Sequence, residues 1–274
     1  MDVCAKLRGL FHEKRIGHAG TLDPMATGVL PVFVGRATRA VEFASEGDKE
    51  YLAGLRLGTV TDTQDTSGRV LEEHPVSVTR EELEAALAPF RGEIQQLPPM
   101  YSAIKVNGKK LYELARKGRE VERKPRAITI HSLVVEGQES ATDFLIRVRC
   151  SKGTYVRTLC HDIGQALGCG GTMYSLRRTM AAGFTLEDAL PLEQVLQAED
   201  PASLLLGVDA YFAGRPVLIL KPAAEKKVRN GMTLVLPDAL PAREYRVYSE
   251  AGEFLALSRV SQGKLITIKS FFQV

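Results

Sequence analysis

The 274-residue chain has no tryptophan, only four cysteines, and no apolar run near the roughly 20 residues that a membrane-spanning helix needs. Cys4, Cys150, Cys160 and Cys169 show no C-x-x-C spacing, and the five histidines do not fall among them at metal-ligand intervals. Reduced, mostly buried thiols are therefore expected rather than a zinc site. No signal-peptide h-region opens the sequence. The Walker A loop, the G-x-G-x-x-G dinucleotide loop and the zinc-deaminase signature are missing as well. The expectation is a cytoplasmic, monomeric protein with no metal, no cofactor and no membrane contact, whose side chains alone do its chemistry.

What is present is ordinary in amount and uneven in placement. Hydrophobic residues make up 45% and charged residues 25%, as in a soluble globular protein, and the length suits one large core plus a small second domain. Net charge is only +3, yet Lys105 to Arg126 holds nine Lys or Arg against three Glu. That local excess of six leaves the remainder of the chain at −3. Phosphate is the natural partner for such a segment, although a solvated basic face would read the same way. Tyr101 and Tyr112 are interleaved with it, and Asn107-Gly108 is a hairpin-turn pair. A protruding β-hairpin and a short helix ending at Gly118 are predicted.

Gly17-His-Ala-Gly-Thr-Leu-Asp-Pro-Met-Ala-Thr-Gly-Val-Leu-Pro-Val32 places one carboxylate, Asp23, in a Gly- and Pro-punctuated loop with no other charge in it except that of His18 when protonated. Pro24 restricts Asp23 to extended conformations, and the glycines permit tight turns, so the loop should be rigid. Val29 to Val34 reads as a buried strand. A plain alternative makes Asp23 a helix N-cap with Pro24 at the first helical position and Gly28 closing a single turn. Capping does not account for His18, Thr21 and Thr27 around the same acid.

The remaining pattern is α+β. Cys4 to Phe11 reads as a helix, and Thr79-x-x-Glu82 is a capping box opening another that runs to about Leu87. Tyr51 to Leu57, Ile128 to Val135 and Phe144 to Cys150 read as strands; in the last, Phe144, Ile146, Val148 and Cys150 share one face. Asp62 to Val78 and Pro191 to Leu206 read as loops or short turns. Tyr155 to Leu167 is amphipathic, with Gly168 as its stop and Arg157 off the apolar stripe. On pattern alone Arg157 would be an ordinary surface residue. Beyond Ala213 come short strands, 217–220, 233–236, 245–248, 254–260 and 265–269, separated by Gly and Pro as in a small β-barrel. Lys221, Lys226, Lys227 and Arg229 offer either phosphate contacts or a bland basic helix face.

GHAGTLDPMATGVLPV resembles the catalytic motif of TruB-type tRNA pseudouridine synthases. Further similar blocks follow in the family's order: Lys49-Glu-Tyr51 with Leu57-Gly58, Thr61-Asp-Thr-Gln-Asp-Thr-Ser-Gly68, Pro98 to Arg116, Cys150-Ser-Lys-Gly-Thr-Tyr-Val-Arg157, and Leu176-Arg-Arg178. The resemblance implies a pseudouridine-synthase catalytic domain with a mixed, largely antiparallel sheet (1–212, with an RNA-gripping insertion at 98–126) and a PUA-like RNA-binding β-barrel domain (213–274). It implies Asp23 as nucleophile, Arg157 as the cation that keeps it ionised, and Tyr51 as a stacking platform for a flipped base. Tyr155 and Leu176 would line the pocket and His18 would lie beside the base. Lys105, Lys109, Lys110 and Arg178 would bind substrate. The implied substrate is the tRNA T-arm, with uridine 55 of its loop as target; the basic hairpin favours stand-alone recognition over guide-RNA dependence. Two other classes compete: a tRNA-binding or tRNA-folding protein without catalysis, and a glycoside hydrolase, for which no second acid shares the motif of Asp23. Family members usually carry a Lys-Pro strand and a Gly-x-Thr-Ser turn before the helix that here begins near Asp2. A chain carrying that segment is expected to be the more stable and active form.

Overall fold

Every second residue of Asp143–Cys150 is apolar and buried, so one face of that strand is obliged to find a partner. In the computed structural model, which describes residues 2–106, 108–236 and 240–272, it lies inside a seven-stranded sheet. The strand order is Phe184–Thr185, Gly171–Ala181, Lys49–Leu57, Asp143–Cys150, Arg126–Gln138, Gly92–Gln96. These pairings are antiparallel, and the two-residue strand Thr27–Gly28 adds in parallel to Arg177 and Arg178. The mixed, largely antiparallel sheet expected from the sequence is thus present.

Chain contacts divide the protein into two units. The sheet belongs to the unit formed by Gly20–Pro31 and Ser45–Ala189. Its apolar face buries Phe144, Ile146, Val148 and Cys150 against Leu159, Cys160 and Ile163 of the Val156–Ala166 helix. Leu83, from the Arg80–Ala86 helix, and Leu87, its C-cap, complete this core. Each such side chain contributes about 1.5–3 kcal/mol when fully buried. The capping box at Thr79 and Glu82 forms, with both reciprocal hydrogen bonds. On the sheet's polar face Arg147 bridges Glu136 and Glu50.

The other unit comprises Met1–Ala19, Val32–Ala44 and Leu190–Val274. The Val3–Phe11 helix, capped by Asp2, packs Cys4 and Leu7 with Ile16, Val32 and Val34. A five-stranded sheet runs Val217–Leu220, Glu244–Ser249, Phe254–Ser261, Lys264–Ser270, Leu234–Val235, with only the first pair parallel. It buries Leu220, Tyr245, Val247, Leu255 and Leu265 under Val228 of the Pro222–Arg229 helix. All five strands expected in this region form.

Several readings need correction. The expected 29–34 strand is only Val32–Val34, because Val29 turns aside to bind the neighbouring sheet. Residues 62–78 contain the strand Val70–Glu73, which carries no alternation because all four side chains are exposed. Residues 191–206 contain the helix Leu192–Leu196 and a 3-10 turn at Pro201–Leu204. Asp23 caps no helix: Ala26 N–H donates to the Asp23 carbonyl (2.9 Å), closing a tight turn on Pro24 and Met25.

Candidate active site

Both ends of the Asp23 loop are fastened to the strand Gly171–Ala181. Val29 N–H donates to the Arg178 carbonyl at 2.9 Å. The Arg178 side chain returns the contact, giving Nε to the Val29 carbonyl (2.7 Å) and Nη2 to that of Gly20 (3.1 Å). Gly28 has φ +103°, and a Cβ there would overlap the Arg178 carbonyl, so only glycine lets the chains approach this closely. A rigid loop, as the sequence indicated, holds the acid.

The cation comes from the Val156–Ala166 helix. Its N-cap, Tyr155, has no side-chain cap, and the Gln96 amide fixes it instead: Gln96 Nε2 donates to the Tyr155 carbonyl (3.0 Å), and Tyr155 N–H donates to Gln96 Oε1 (2.8 Å). One residue into the helix, Arg157 is buried, not on the surface. Its Nη2 donates to the Tyr101 carbonyl (2.7 Å) and lies 3.5 Å from Asp23 Oδ1, while Nη1 lies 3.4 Å from Asp65 Oδ2. One guanidinium therefore stands between two carboxylates.

Asp65 was not singled out from the sequence. Its side chain is 6% exposed against 31% for Asp23. Thr63 Oγ1 (2.8 Å), Ser67 N–H (3.0 Å) and Ser67 Oγ (2.5 Å) all donate to its Oδ1, which aims Oδ2 at Arg157. The Thr63-x-Asp65-x-Ser67 spacing is an Asx-turn signature and was the available signal. Gln96 and the Tyr101 carbonyl had none. Burial pushes the Asp23 carboxyl above the usual carboxylate range; Arg157 pulls it down and Asp65 pushes it up again, and burial prevails.

Tyr51 lies half-buried on the central strand, directly across from Arg178 on one side and Val148 on the other. Burial raises its phenol above the ordinary tyrosine value, and the nearby Arg178 guanidinium offsets part of that. Leu176 is buried opposite Ala53 on the same strand pair, and Tyr155 is half-buried. Arg178, expected to bind substrate, is 1% exposed and turned onto the loop carbonyls instead. His18 belongs to the other unit, paired with Val32, and its Nδ1 is buried without a hydrogen-bond partner.

The basic hairpin forms, with Lys105 opposite Lys110 and Val106 opposite Lys109; Asn107 lies outside the described residues. Lys105 and Lys109 are exposed, whereas Lys110 leans over the Tyr112 ring. The helix Leu111–Ala115 follows, and Gly118 has φ +65°. In the Pro222–Arg229 helix, Arg229 is occupied by Glu225 and Glu253, leaving Lys221, Lys226 and Lys227 exposed. All four cysteines are free and buried, with the Cys150 thiol pushed up to about 11 by burial. Among the described residues no group of three or more His, Cys, Asp or Glu is arranged to hold a metal ion, and no helix is long and apolar enough to cross a membrane.

Solved structures share this architecture. The chain in a Cbf5–Nop10–Gar1 complex superposes with a TM-score of 0.73 at 24% identity, covering 99% of this chain and 80% of that one. An H/ACA ribonucleoprotein bound to a substrate RNA containing 2′-deoxyuridine gives 0.73 at 23% identity, covering 99% and 81%. The chain shares its fold with these proteins. At the level of sequence, the profile described as TruB family pseudouridylate synthase (N terminal domain) matches residues 8–156, and the tRNA pseudouridylate synthase B C-terminal domain matches 157–210. The tRNA pseudouridine synthase B of Clostridium kluyveri is 42% identical over 98% of this chain and 94% of its own length. That of Francisella philomiragia is 44% identical over 99% and 90%. The chain belongs to the TruB family of pseudouridylate synthases and is an isomerase.

Proposed function

We propose that the chain isomerises uridine to pseudouridine in tRNA, at uridine 55 of the T-loop, with Asp23 as the nucleophile. The observation that carries this reading is the Asp23–Arg157–Asp65 constellation, one buried guanidinium between Asp65 and an Asp23 held on a loop fixed at both ends. Conversion breaks the bond from ribose C1′ to N1 and makes one from C1′ to C5. N1 gains a proton and C5 loses one, so substrate and product have the same atoms and electrons. A carboxylate suits the first step, because it can attack or stabilise the electron-poor sugar carbon as the base departs. A raised Asp23 pKa keeps that carboxylate basic, while Arg157 orients it.

The target base must first leave its stack. Flipping costs a few kcal/mol, and stacking on one aromatic ring returns about 1–3 kcal/mol. In this reading Tyr51 is the stacking platform, and Leu176 and Tyr155 line the pocket around the base. The hairpin supplies the grip. Lys105 and Lys110 face one another across it, and like charges directly opposite destabilise a strand pair until an anion lies between them. The C-terminal region 213–274 adds a second RNA-binding surface, led by Lys221, Lys226 and Lys227. The relatives' names support tRNA as the substrate. The test is conversion of a T-arm stem-loop RNA, read by pseudouridine-specific chemical sequencing. Product confined to the T-loop target is expected. No product, or product elsewhere in the loop, would refute the assignment.

A further inference from the structure

Two buried cations beside the Asp23 loop, Lys49 and Arg178, have no acidic partner within ion-pair distance among the described residues. Lys49 is 7% exposed and gives its ammonium to the carbonyls of Ser45 (2.7 Å) and Gly47 (2.6 Å). Arg178 is 1% exposed and gives its guanidinium to those of Val29 and Gly20. Burying an unpaired charge is expensive, so a fold that keeps one needs a use for it. For Lys49 the use is local, tying down the 45–47 turn. Arg178 reaches further.

Its two carbonyl partners are separated by nine positions of sequence and bracket Asp23, which lies three residues after Gly20 and six before Val29. Arg178 is the direct cross-strand partner of Tyr51. Its backbone meanwhile pairs with Gly28 and accepts from Val29 N–H. Gly20 has φ +97°, and a Cβ built there would come within 3.4 Å of Arg178 Nη1. One residue thus fixes where the loop enters and where it leaves, from the position directly across the sheet from Tyr51. We infer that Arg178 is a positioning residue for the reaction, which never meets RNA itself and instead fixes the distance between the Asp23 carboxylate and the Tyr51 ring that holds the base. The inference rests on the reading of Asp23 and Tyr51 given above.

The planar fork of arginine explains why no other cation serves. Two carbonyls in different directions match its fixed donors, whereas a lysine ammonium is a single point on a flexible stem. Arg178→Lys keeps the charge and most of the length but can satisfy only part of the set. The loop then gains freedom, and a misplacement of about 1 Å at the reacting atoms costs about 100-fold in rate.

The experiment measures single-turnover rate at saturating T-arm RNA, RNA Kd and melting temperature for wild type, Arg178→Lys, Asp23→Asn, and Leu83→Ala. Leu83 is a fully buried core residue on the Arg80–Ala86 helix, outside the site, and its variant supplies destabilisation without a positioning defect. The expected result is a rate loss of about 100-fold in Arg178→Lys with Kd within twofold of wild type, while Leu83→Ala keeps its rate despite a lower melting temperature. A rate within threefold of wild type would overturn the inference. So would a Kd weakened in proportion to the rate, which would make Arg178 an RNA contact, or a matching rate loss in Leu83→Ala, which would make the effect one of stability. Asp23→Asn separates the two readings: turnover in that variant refutes the nucleophile, whereas its silence beside an active Arg178→Lys refutes only the positioning role.

Discussion

Removing the guanidinium of Arg157 isolates the electrostatics of the site. Arg157→Met keeps an apolar stem of similar reach but leaves the buried Asp65 carboxylate, 6% exposed, without its cation. Breaking a buried pair by deleting one partner costs about 3–5 kcal/mol, and the lost hydrogen bond to the Tyr101 carbonyl adds about 1 kcal/mol. Asp65 keeps its three donors from Thr63 and Ser67, which places the expected loss at the lower end, about 3 kcal/mol. The second half of the prediction is the coupling. Asp65→Asn in the Arg157→Met background removes the stranded charge and should restore at least about 1.5 kcal/mol, a non-additivity typical of contacting groups. Urea unfolding of the wild type, both single variants and the double variant at pH 7 supplies the cycle. Additive effects, or an Arg157→Met loss below about 1 kcal/mol, would show that the acids do not depend on this cation.

Other outcomes follow from the same geometry. Because the Asp23 pKa is raised in the folded chain, the native state holds that proton more tightly than the unfolded chain. The stability this confers is complete at low pH and is lost as pH rises from ordinary carboxylate values through the raised one. Asp23→Asn should therefore gain stability relative to wild type as pH rises above the ordinary carboxylate value, and urea midpoints tracking each other at every pH would refute the shift. Replacing Lys105 or Lys109 with Ala should weaken RNA binding and reduce the salt slope by about one unit; unchanged slopes would assign these exposed charges to solvent. Gly28→Ala drives a methyl into the Arg178 carbonyl at a positive φ, so turnover should collapse along with a melting-temperature drop, and a variant as active as wild type would disprove the close packing. Finally, buried thiols with raised pKa values, Cys150 at about 11, should resist a thiol reagent at pH 8 in the folded protein and react only on unfolding.

Residues that announce themselves by local chemistry were legible in the sequence. The Asp23 loop carries its own rigidity in Pro24 and its glycines, and the 143–150 strand and 156–166 helix carry their burial in their periodicity. Arg157 was placed off the apolar stripe, but its burial was not foreseeable, since the groups that cover it, Tyr101 and Asp65, lie 56 and 92 positions away. Asp65 was hidden for a related reason. Its turn becomes a site only because Thr66 N–H and the Gln64 carbonyl dock on Met173, a long-range pairing with no local signal. Val70–Glu73 escaped because a strand with four exposed side chains has no hydrophobic alternation to read. Arg178 was recognised as part of the site, but its burial against the loop carbonyls was not legible, because a motif marks a position without saying which way its side chain turns.

The central claim is that Asp23 performs the chemistry on a base presented by RNA. It is tested most directly by single-turnover conversion of a T-arm RNA by wild type and Asp23→Asn, with Kd measured on the same RNA. The account predicts pseudouridine formed by wild type, none by Asp23→Asn, and the two affinities within about threefold, because the amide keeps the shape of the carboxylate but cannot attack the sugar carbon. Pseudouridine formed by Asp23→Asn at a rate near that of wild type would contradict it.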